Sequence, residues 1–273
     1  MAATTCFRHT DRETGRSCTR CERPACSDCL REAPVGSHCF ECIAAARPPL
    51  RERVRRWNAT TGPVVTKALI ALNLLVFVLT AATGGALGRG GELQGRLALF
   101  GPAVAAGEWY RLVSSGFVHY GLLHIAFNML VLYRFGEMLE ASLGRLRLLA
   151  LYLASLLAGS FGAVLLSPLA LTAGASGAVF GLVAAAAIGL RQRGVDVWQS
   201  GLGPLIAVNL VLTFVIPGIS IGGHLGGLLG GAAVGAAMLW SPDRRPALVE
   251  GMAVAAVVTV ACVAGAVWAA SAG

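Results

Sequence analysis

The stretch LTAGASGAVFGLVAAAAIGL, residues 171–190, decides the fold class of this chain. It carries no charged residue over a length of about 20 residues, which is enough to cross a bilayer as a helix. Ser176 stands near its start among glycines and alanines. The stretch therefore predicts a membrane helix, and Ser176 is either a small packing residue within it or a nucleophile.

The rest of the chain predicts the same environment. Of 273 residues, 56% are hydrophobic and 13% are charged, which excludes an ordinary soluble domain. Seven apolar segments satisfy the length rule, although the fifth is short. They are residues 64–82, 117–135, 148–166, 173–190, 202–216, 222–240 and 252–270. The expected fold is an all-α polytopic membrane protein, with an interfacial amphipathic stretch at 83–116.

Charge and cysteine content divide the chain into regions. We expect a small zinc-stabilised module at 1–45, a basic linker at 46–63, a membrane domain at 64–240 and a seventh helix within 241–273. Arginine clusters flank alternate spans and predict a multi-pass cell-membrane protein with the N-terminus in the cytoplasm and the C-terminus outside. The clusters are Arg51, Arg53, Arg55 and Arg56; Arg134, Arg145 and Arg147; Arg191 and Arg193; Arg244 and Arg245.

Seven of the eight cysteines lie in the first 42 residues, in two-residue-gap pairs that are typical of zinc knuckles. The predicted ligands of two structural zinc ions are Cys6, His9, Cys18, Cys21, Cys26, Cys29, Cys39 and Cys42. A disulfide framework is the alternative, but a reducing cytoplasm disfavours it. Spacing leaves the pairing open, and His38 remains a spare ligand. An interleaved arrangement, first pair with third and second with fourth, resembles B-box-type zinc fingers.

Polar side chains inside membrane segments are costly and therefore point to function. His119, His124 and Asn128 fall in the second segment, Ser176 in the fourth and His224 in the sixth. These three segments run in the same direction, and their polar residues lie in the outer half of the membrane. Glycine-rich faces in the fourth and sixth segments, including Gly177, allow close helix approach. Ser176 and His224 would then form a catalytic dyad, since the fourth to sixth segments contain no carboxylate.

Together, GASG, the later GHLGG and the preceding WYRL followed by two histidines and an asparagine resemble the rhomboid intramembrane serine proteases. The resemblance covers residues 65–240 and implies a six-helix core, here with an extra C-terminal helix. It implies Ser176 as nucleophile, His224 as general base and no catalytic cofactor.

The same resemblance implies roles for the surrounding residues. His124, Asn128 and the Ser176 backbone N–H would form the oxyanion site, with His119, Gly174, Gly177 and Phe180 nearby. Phe180 replaces a tyrosine found in many members and would still stack on His224. Trp109, Arg111 and Glu140 match structural positions of the family.

The expected function is an intramembrane serine endopeptidase that cleaves transmembrane proteins near the outer membrane face. An inactive rhomboid-like protein that binds transmembrane clients is the main alternative, and a proton-coupled transporter is a weaker one. The zinc module is expected to bind a cytosolic protein partner. Nucleic acid is not expected as a partner, because acids and bases interleave over residues 11–32.

Overall fold

The computed structural model describes residues 4–46, 62–85, 91–216, 218–239 and 245–272. The chain divides into two compact units, Met1–Trp57 and Asn58–Gly273. Most of the predicted linker at 46–63 lies outside the described residues. So do Trp240, the predicted end of the sixth segment, and Arg244 of the last arginine cluster.

The N-terminal unit has little secondary structure. Strands β1 (Leu30–Glu32) and β2 (Ser37–Cys39) form an antiparallel pair, and helix α1 (Phe40–Ala45) follows directly. Its described buried apolar residues are five cysteines together with Ala25 and Leu30. A core made mainly of thiols buries too little carbon to fold by itself, which is the usual situation in small metal-stabilised domains.

The second unit is helical, and each predicted apolar segment corresponds to one helix. These helices are α2 (Val64–Thr80), α6 (Leu122–Leu143), α7 (Arg145–Leu166), α8 (Ser176–Gln192), α9 (Leu202–Val215), α10 (Ile221–Leu239) and α11 (Arg245–Ala272). Three short helices occupy the stretch expected to be amphipathic: α3 (Glu92–Leu97), α4 (Gly101–Ala105) and α5 (Arg111–Ser114).

Five helices among the described residues are long and apolar enough to cross a membrane, and α8 and α9 are shorter apolar helices. Large apolar side chains remain exposed on α2, α6, α9 and α11. In a soluble protein such surfaces would associate, whereas lipid solvates them. The fold is therefore that of a polytopic helical membrane protein.

Two helices begin later than their predicted segments, each because of a glycine, and two others begin several residues earlier, at Arg145 rather than 148 and at Arg245 rather than 252. The second helix begins at Leu122 rather than at 117, after Gly121 takes a φ of +89°. His119 consequently lies in the loop before α6 and not within the span. The fourth helix begins at Ser176 rather than at 173, after Gly174 takes a φ of +129°. Residues with a side chain rarely adopt such positive φ angles, whereas glycine does so readily. A residue at a positive φ interrupts the right-handed helical geometry, so each helix begins after its glycine.

Helix α10 lies against both α7 and α8 with almost no side chain between the backbones. A Cβ atom added to Gly222 would lie 2.0 Å from the Gly162 carbonyl oxygen, and one added to Gly227 would lie 2.0 Å from that of Gly177. Such contacts require glycine, as in other closely packed membrane helices. The glycines thus bring the start of α10 against the start of α8.

We expect Gly227→Ala to lower the free energy of unfolding by about 1–3 kcal/mol, because the added methyl must push α10 away from α8. Thermal unfolding in detergent measures the effect. Gly95→Ala is the matched control, since a Cβ at this helical glycine meets nothing within 4 Å. Equal stability of the two variants would contradict the close packing.

Two buried charged side chains join elements of the second unit. Glu140 on α6 accepts the Val65 and Thr66 backbone N–H groups at 3.0 and 2.9 Å, which places a carboxylate at the N-terminus of α2. Arg111 donates to the carbonyl oxygens of Gly95 and Ala98, both at 2.7 Å, and thereby ties α5 to α3. Trp109, two residues before Arg111, is 56% exposed.

Candidate active site

Ser176 is the first residue of α8, and contacts from a distant part of the chain fix the backbone before it. The Gly174 N–H donates to the Ser115 carbonyl at 2.9 Å, and the Ala175 N–H donates to His119 Nε2 at 3.4 Å. Ser176 itself is partly buried. Its position at a helix start leaves nearby backbone N–H groups without intrahelical acceptors, which favours negative charge there.

His224 lies in the first turn of α10 and stacks on Phe180 of α8, with ring centroids 4.2 Å apart and planes 23° apart. Phe180 is four residues after Ser176 and therefore shares its helix face. The stacking predicted for Phe180 is thus present. Ser176 and His224 lie at the same end of two tightly packed helices.

No hydrogen bond joins Ser176 to His224 among the described residues. Catalytic hydrogen bonds are often long before substrate binds, so proximity and orientation are the informative features here.

His124, on the first turn of α6, presents a donor at Ser176. The Tyr120 N–H donates to His124 Nδ1 at 3.3 Å, so the proton of the neutral ring is assigned to Nε2. A Cβ added to Gly174 would lie 2.7 Å from His124 Nε2 and 3.7 Å from Ser176 Oγ. Both atoms therefore border the same small space, which only glycine at position 174 leaves open.

His119 and Asn128 contact the backbone of residues around this site. His119 is fully buried; its Nδ1 lies 3.3 Å from the Phe117 carbonyl, and its Nε2 accepts the Ala175 N–H. The buried Gln94 side chain donates to the His119 carbonyl at 3.1 Å. Asn128 donates to the His124 carbonyl at 2.9 Å, one turn up its own helix. The structure thus gives His119 and Asn128 contacts to the backbone around Ser176 and His124.

Sequence reasoning missed Thr213. Its hydroxyl on α9 lies 2.7 Å from His224 Nδ1, and Thr213 is 2% exposed. A threonine in an apolar helix is an ordinary packing residue, and only the fold shows that it faces His224. The only weak indication in the sequence was that Thr213 follows the polar Asn209 by four residues and so shares its helix face. The Thr213 hydroxyl also contacts the Asn209 carbonyl at 2.7 Å.

The cysteine pairs assemble into two groups in the N-terminal unit, in the interleaved pairing. One group is Cys6, His9, Cys26 and Cys29, and the other is Cys18, Cys21, Cys39 and Cys42. His38 lies on β2, outside both groups.

The spacing of these groups fits zinc. His9 Nδ1 lies 3.3 to 3.9 Å from the sulfurs of Cys6, Cys26 and Cys29, and the Cys21 and Cys39 sulfurs are 3.8 Å apart. Tetrahedral zinc, with Zn–N bonds of about 2.0–2.1 Å and Zn–S bonds of about 2.3 Å, places a nitrogen and a sulfur about 3.5 Å apart and two sulfurs about 3.8 Å apart.

In each group two cysteines have a pKa lowered towards the thiolate, which is the metal-binding form: Cys6 and Cys26 in the first, Cys18 and Cys21 in the second. Burial and hydrogen bonds to neighbouring thiols raise the pKa of Cys29 and Cys42. Burial alone would raise the pKa of Cys6, but backbone N–H groups including those of Arg8 and His9 lower it to about 6. The pKa of Cys18 is likewise lowered to about 6, against the effect of burial, with the Cys39 N–H donating to its sulfur at 3.2 Å. Arg23 donates to Cys21 Sγ at 3.4 Å and so places a cation beside the second group.

Comparisons with known proteins agree with this architecture. A sequence model of the Rhomboid domain matches residues 106–241, about half of the chain. Rhomboid protease GluP of Bacillus subtilis is 35% identical over 169 residues, which cover 59% of this chain and 32% of GluP. The Bacillus subtilis protein YdcA is 32% identical over 125 residues, covering 44% of this chain and 63% of YdcA. RHOMBOID-like protein 5 of Arabidopsis thaliana is 32% identical over 134 residues, which cover 48% of this chain and 40% of that protein.

The chain belongs to the rhomboid family, a family of intramembrane proteases. The match to these relatives spans less than two thirds of their length: about one third of GluP and just under two thirds of YdcA. The Rhomboid match contains Ser176, His224, His124 and Thr213, and it excludes the cysteine groups.

Proposed function

We propose that this protein is a serine endopeptidase that cleaves transmembrane proteins near the outer membrane face, with Ser176 as nucleophile and His224 as general base. The convergence of Ser176, His224 and His124 at the starts of three helices supports this proposal most directly. Each of these side chains alone has an ordinary structural explanation. A hydroxyl and a directed N–H donor around one small space, with a base at the same end of the packed helices, fit an acyl-transfer site.

The reaction follows from these positions. Ser176 Oγ attacks the scissile carbonyl carbon while its proton passes to His224. The resulting oxyanion lies against His124 Nε2–H and the Ser176 backbone N–H, with Asn128 as a further donor in the same region. Protonated His224 gives its proton to the leaving amine, which releases one fragment and leaves an acyl-enzyme. Water then attacks the ester with His224 again accepting the proton, and Ser176 is regenerated.

The position of the site in the membrane follows from the arginine clusters. If Arg134, Arg145, Arg147, Arg191 and Arg193 face the cytoplasm, the opposite ends of the helices, which carry Ser176 and His224, face outward. The outer surface can supply the water that deacylation needs. We place the protein in the cell membrane with the N-terminal module in the cytoplasm.

The test is cleavage of a synthetic single-span substrate by the purified protein in liposomes. We expect two fragments from the wild type and none from Ser176→Ala. Ser271→Ala is the control, because this exposed serine at the end of α11 is outside the site. Equal cleavage by wild type and Ser176→Ala would overturn Ser176 as the nucleophile, whereas no cleavage by either would instead support an inactive protein that binds transmembrane clients.

For the N-terminal module we propose two structural zinc ions, held by the two groups of four side chains. All four positions at each ion are filled by protein, which is typical of structural rather than catalytic zinc. The module would act as a rigid unit for a cytosolic protein partner. A pull-down with the full-length protein and with a variant lacking both groups tests this role.

A further inference from the structure

We infer that Thr213 is a positioning residue that fixes which nitrogen of His224 carries the proton. Its hydroxyl accepts the His224 Nδ1–H and leaves Nε2 free to receive a proton from Ser176. The inference rests on the proposed function for its consequence, whereas the hydrogen bond itself can be tested without catalysis.

The direction of the hydrogen bond follows from proton counting. Thr213 Oγ1 lies 2.7 Å from the Asn209 carbonyl oxygen and 2.7 Å from His224 Nδ1. A carbonyl only accepts, so the single hydroxyl proton of Thr213 points to Asn209. The second contact is then favourable only if His224 Nδ1 donates. A neutral imidazole has one ring proton, and Nε2 is therefore unprotonated.

The burial pattern of α9 supports a specific role. On either side of Thr213, Val211, Leu212, Phe214 and Val215 are 41 to 67% exposed, whereas Thr213 is 2% exposed. The helix thus turns one polar residue towards the protein in a region that otherwise presents apolar side chains outward. A bond to the backbone four residues earlier would satisfy the hydroxyl by itself. It does not explain the second partner at 2.7 Å.

His224 is consequently held from two sides. Phe180 of α8 fixes the plane of the ring by stacking, and Thr213 of α9 fixes its rotation and tautomer. In many serine hydrolases a carboxylate fixes the rotation and tautomer of the catalytic histidine, and the wrong tautomer severely lowers their activity. A hydroxyl can set the tautomer without placing a negative charge in lipid, where charge is costly.

The kinetic test compares Thr213→Val, which removes the hydroxyl, with Thr213→Ser, which keeps it. We expect Thr213→Val to lower kcat by about 10- to 100-fold with little change in KM, because ground-state binding of substrate is unaffected. Thr213→Ser should restore most of the rate. Thr80→Val is the matched control: Thr80 is also buried in an apolar helix and donates to a carbonyl of its own helix at 3.0 Å.

The spectroscopic test is ¹⁵N NMR of the imidazole of His224, assigned by its loss in His224→Gln. The wild type should show protonated Nδ1 and free Nε2, and Thr213→Val should lose this preference. An Nε2–H tautomer in the wild type overturns the inference even if the protein proves inactive. Unchanged kcat in Thr213→Val, or an equal loss in Thr80→Val, also overturns it. Failure of Ser176-dependent cleavage with the expected tautomer would sink only the proposed function.

Discussion

Ser176→Ala, His224→Ala and the double variant are expected to lose kcat/KM for a single-span substrate by the same factor, about 10⁴ or more. Residues that act as one catalytic unit show such non-additivity, because removing either one already abolishes the nucleophilic pathway. The structure supports a unit in which Ser176 begins α8 and His224 stacks on Phe180 of the same helix.

The measurement is initial cleavage rate at several substrate concentrations in liposomes, so that kcat and KM separate. Thermal unfolding of each variant checks that the loss of activity does not result from loss of the fold. His38→Ala provides a control histidine, since His38 lies on β2 outside both metal-binding groups. Losses that multiply in the double variant would show that Ser176 and His224 act independently, contrary to a dyad.

The sequence predicted the helices well because lipid imposes a simple rule of length and apolarity. Each of the seven predicted segments corresponds to a helix, including the short fifth one. The rule says nothing about where a helix begins when the preceding loop is equally apolar. Gly121 and Gly174 determine those starts through their backbone angles, which is why His119 was wrongly placed within a span.

The candidate site was only partly predictable for a related reason. Ser176, His124 and His224 are conspicuous because histidines and a glycine-flanked serine are unusual within apolar stretches. Thr213 is not unusual, and its role depends on the rotation of α9 about its axis. No local pattern encodes that rotation, which is set by contacts between helices. Residues that act through another residue are therefore the ones that sequence patterns miss.

Removal of zinc is expected to unfold the N-terminal module completely while leaving the membrane helices intact. Structural zinc contributes about 10–16 kcal/mol of apparent binding free energy at neutral pH. The described part of the module has no apolar core that could contribute a comparable free energy of folding, because its buried apolar residues are mainly the cysteines themselves. The purified protein should contain two zinc ions per chain, and a strong chelator should make the arginine-rich module sensitive to trypsin.

Single substitutions test the assigned zinc ligands. Cys6→Ser and Cys39→Ser should each lower zinc content well below two per chain, because each removes one ligand from a group of four. Cys262→Ser is the matched control, as this cysteine lies in α11 outside both groups. Retention of two ions by either variant would contradict the assigned ligands. Zinc should also dissociate on acidification, because metal binding requires deprotonated ligands.

Chelation also separates the roles of the two units. The proposed dyad uses no metal, so Ser176-dependent cleavage should persist in the chelated protein while the module is digested. If cleavage instead stopped on chelation and returned with added zinc, the folded module would be required for protease activity. That result would make it a regulator of the membrane unit. Since each group offers four protein ligands, the effect of zinc held there would pass through folding of the module rather than through zinc chemistry at the scissile bond.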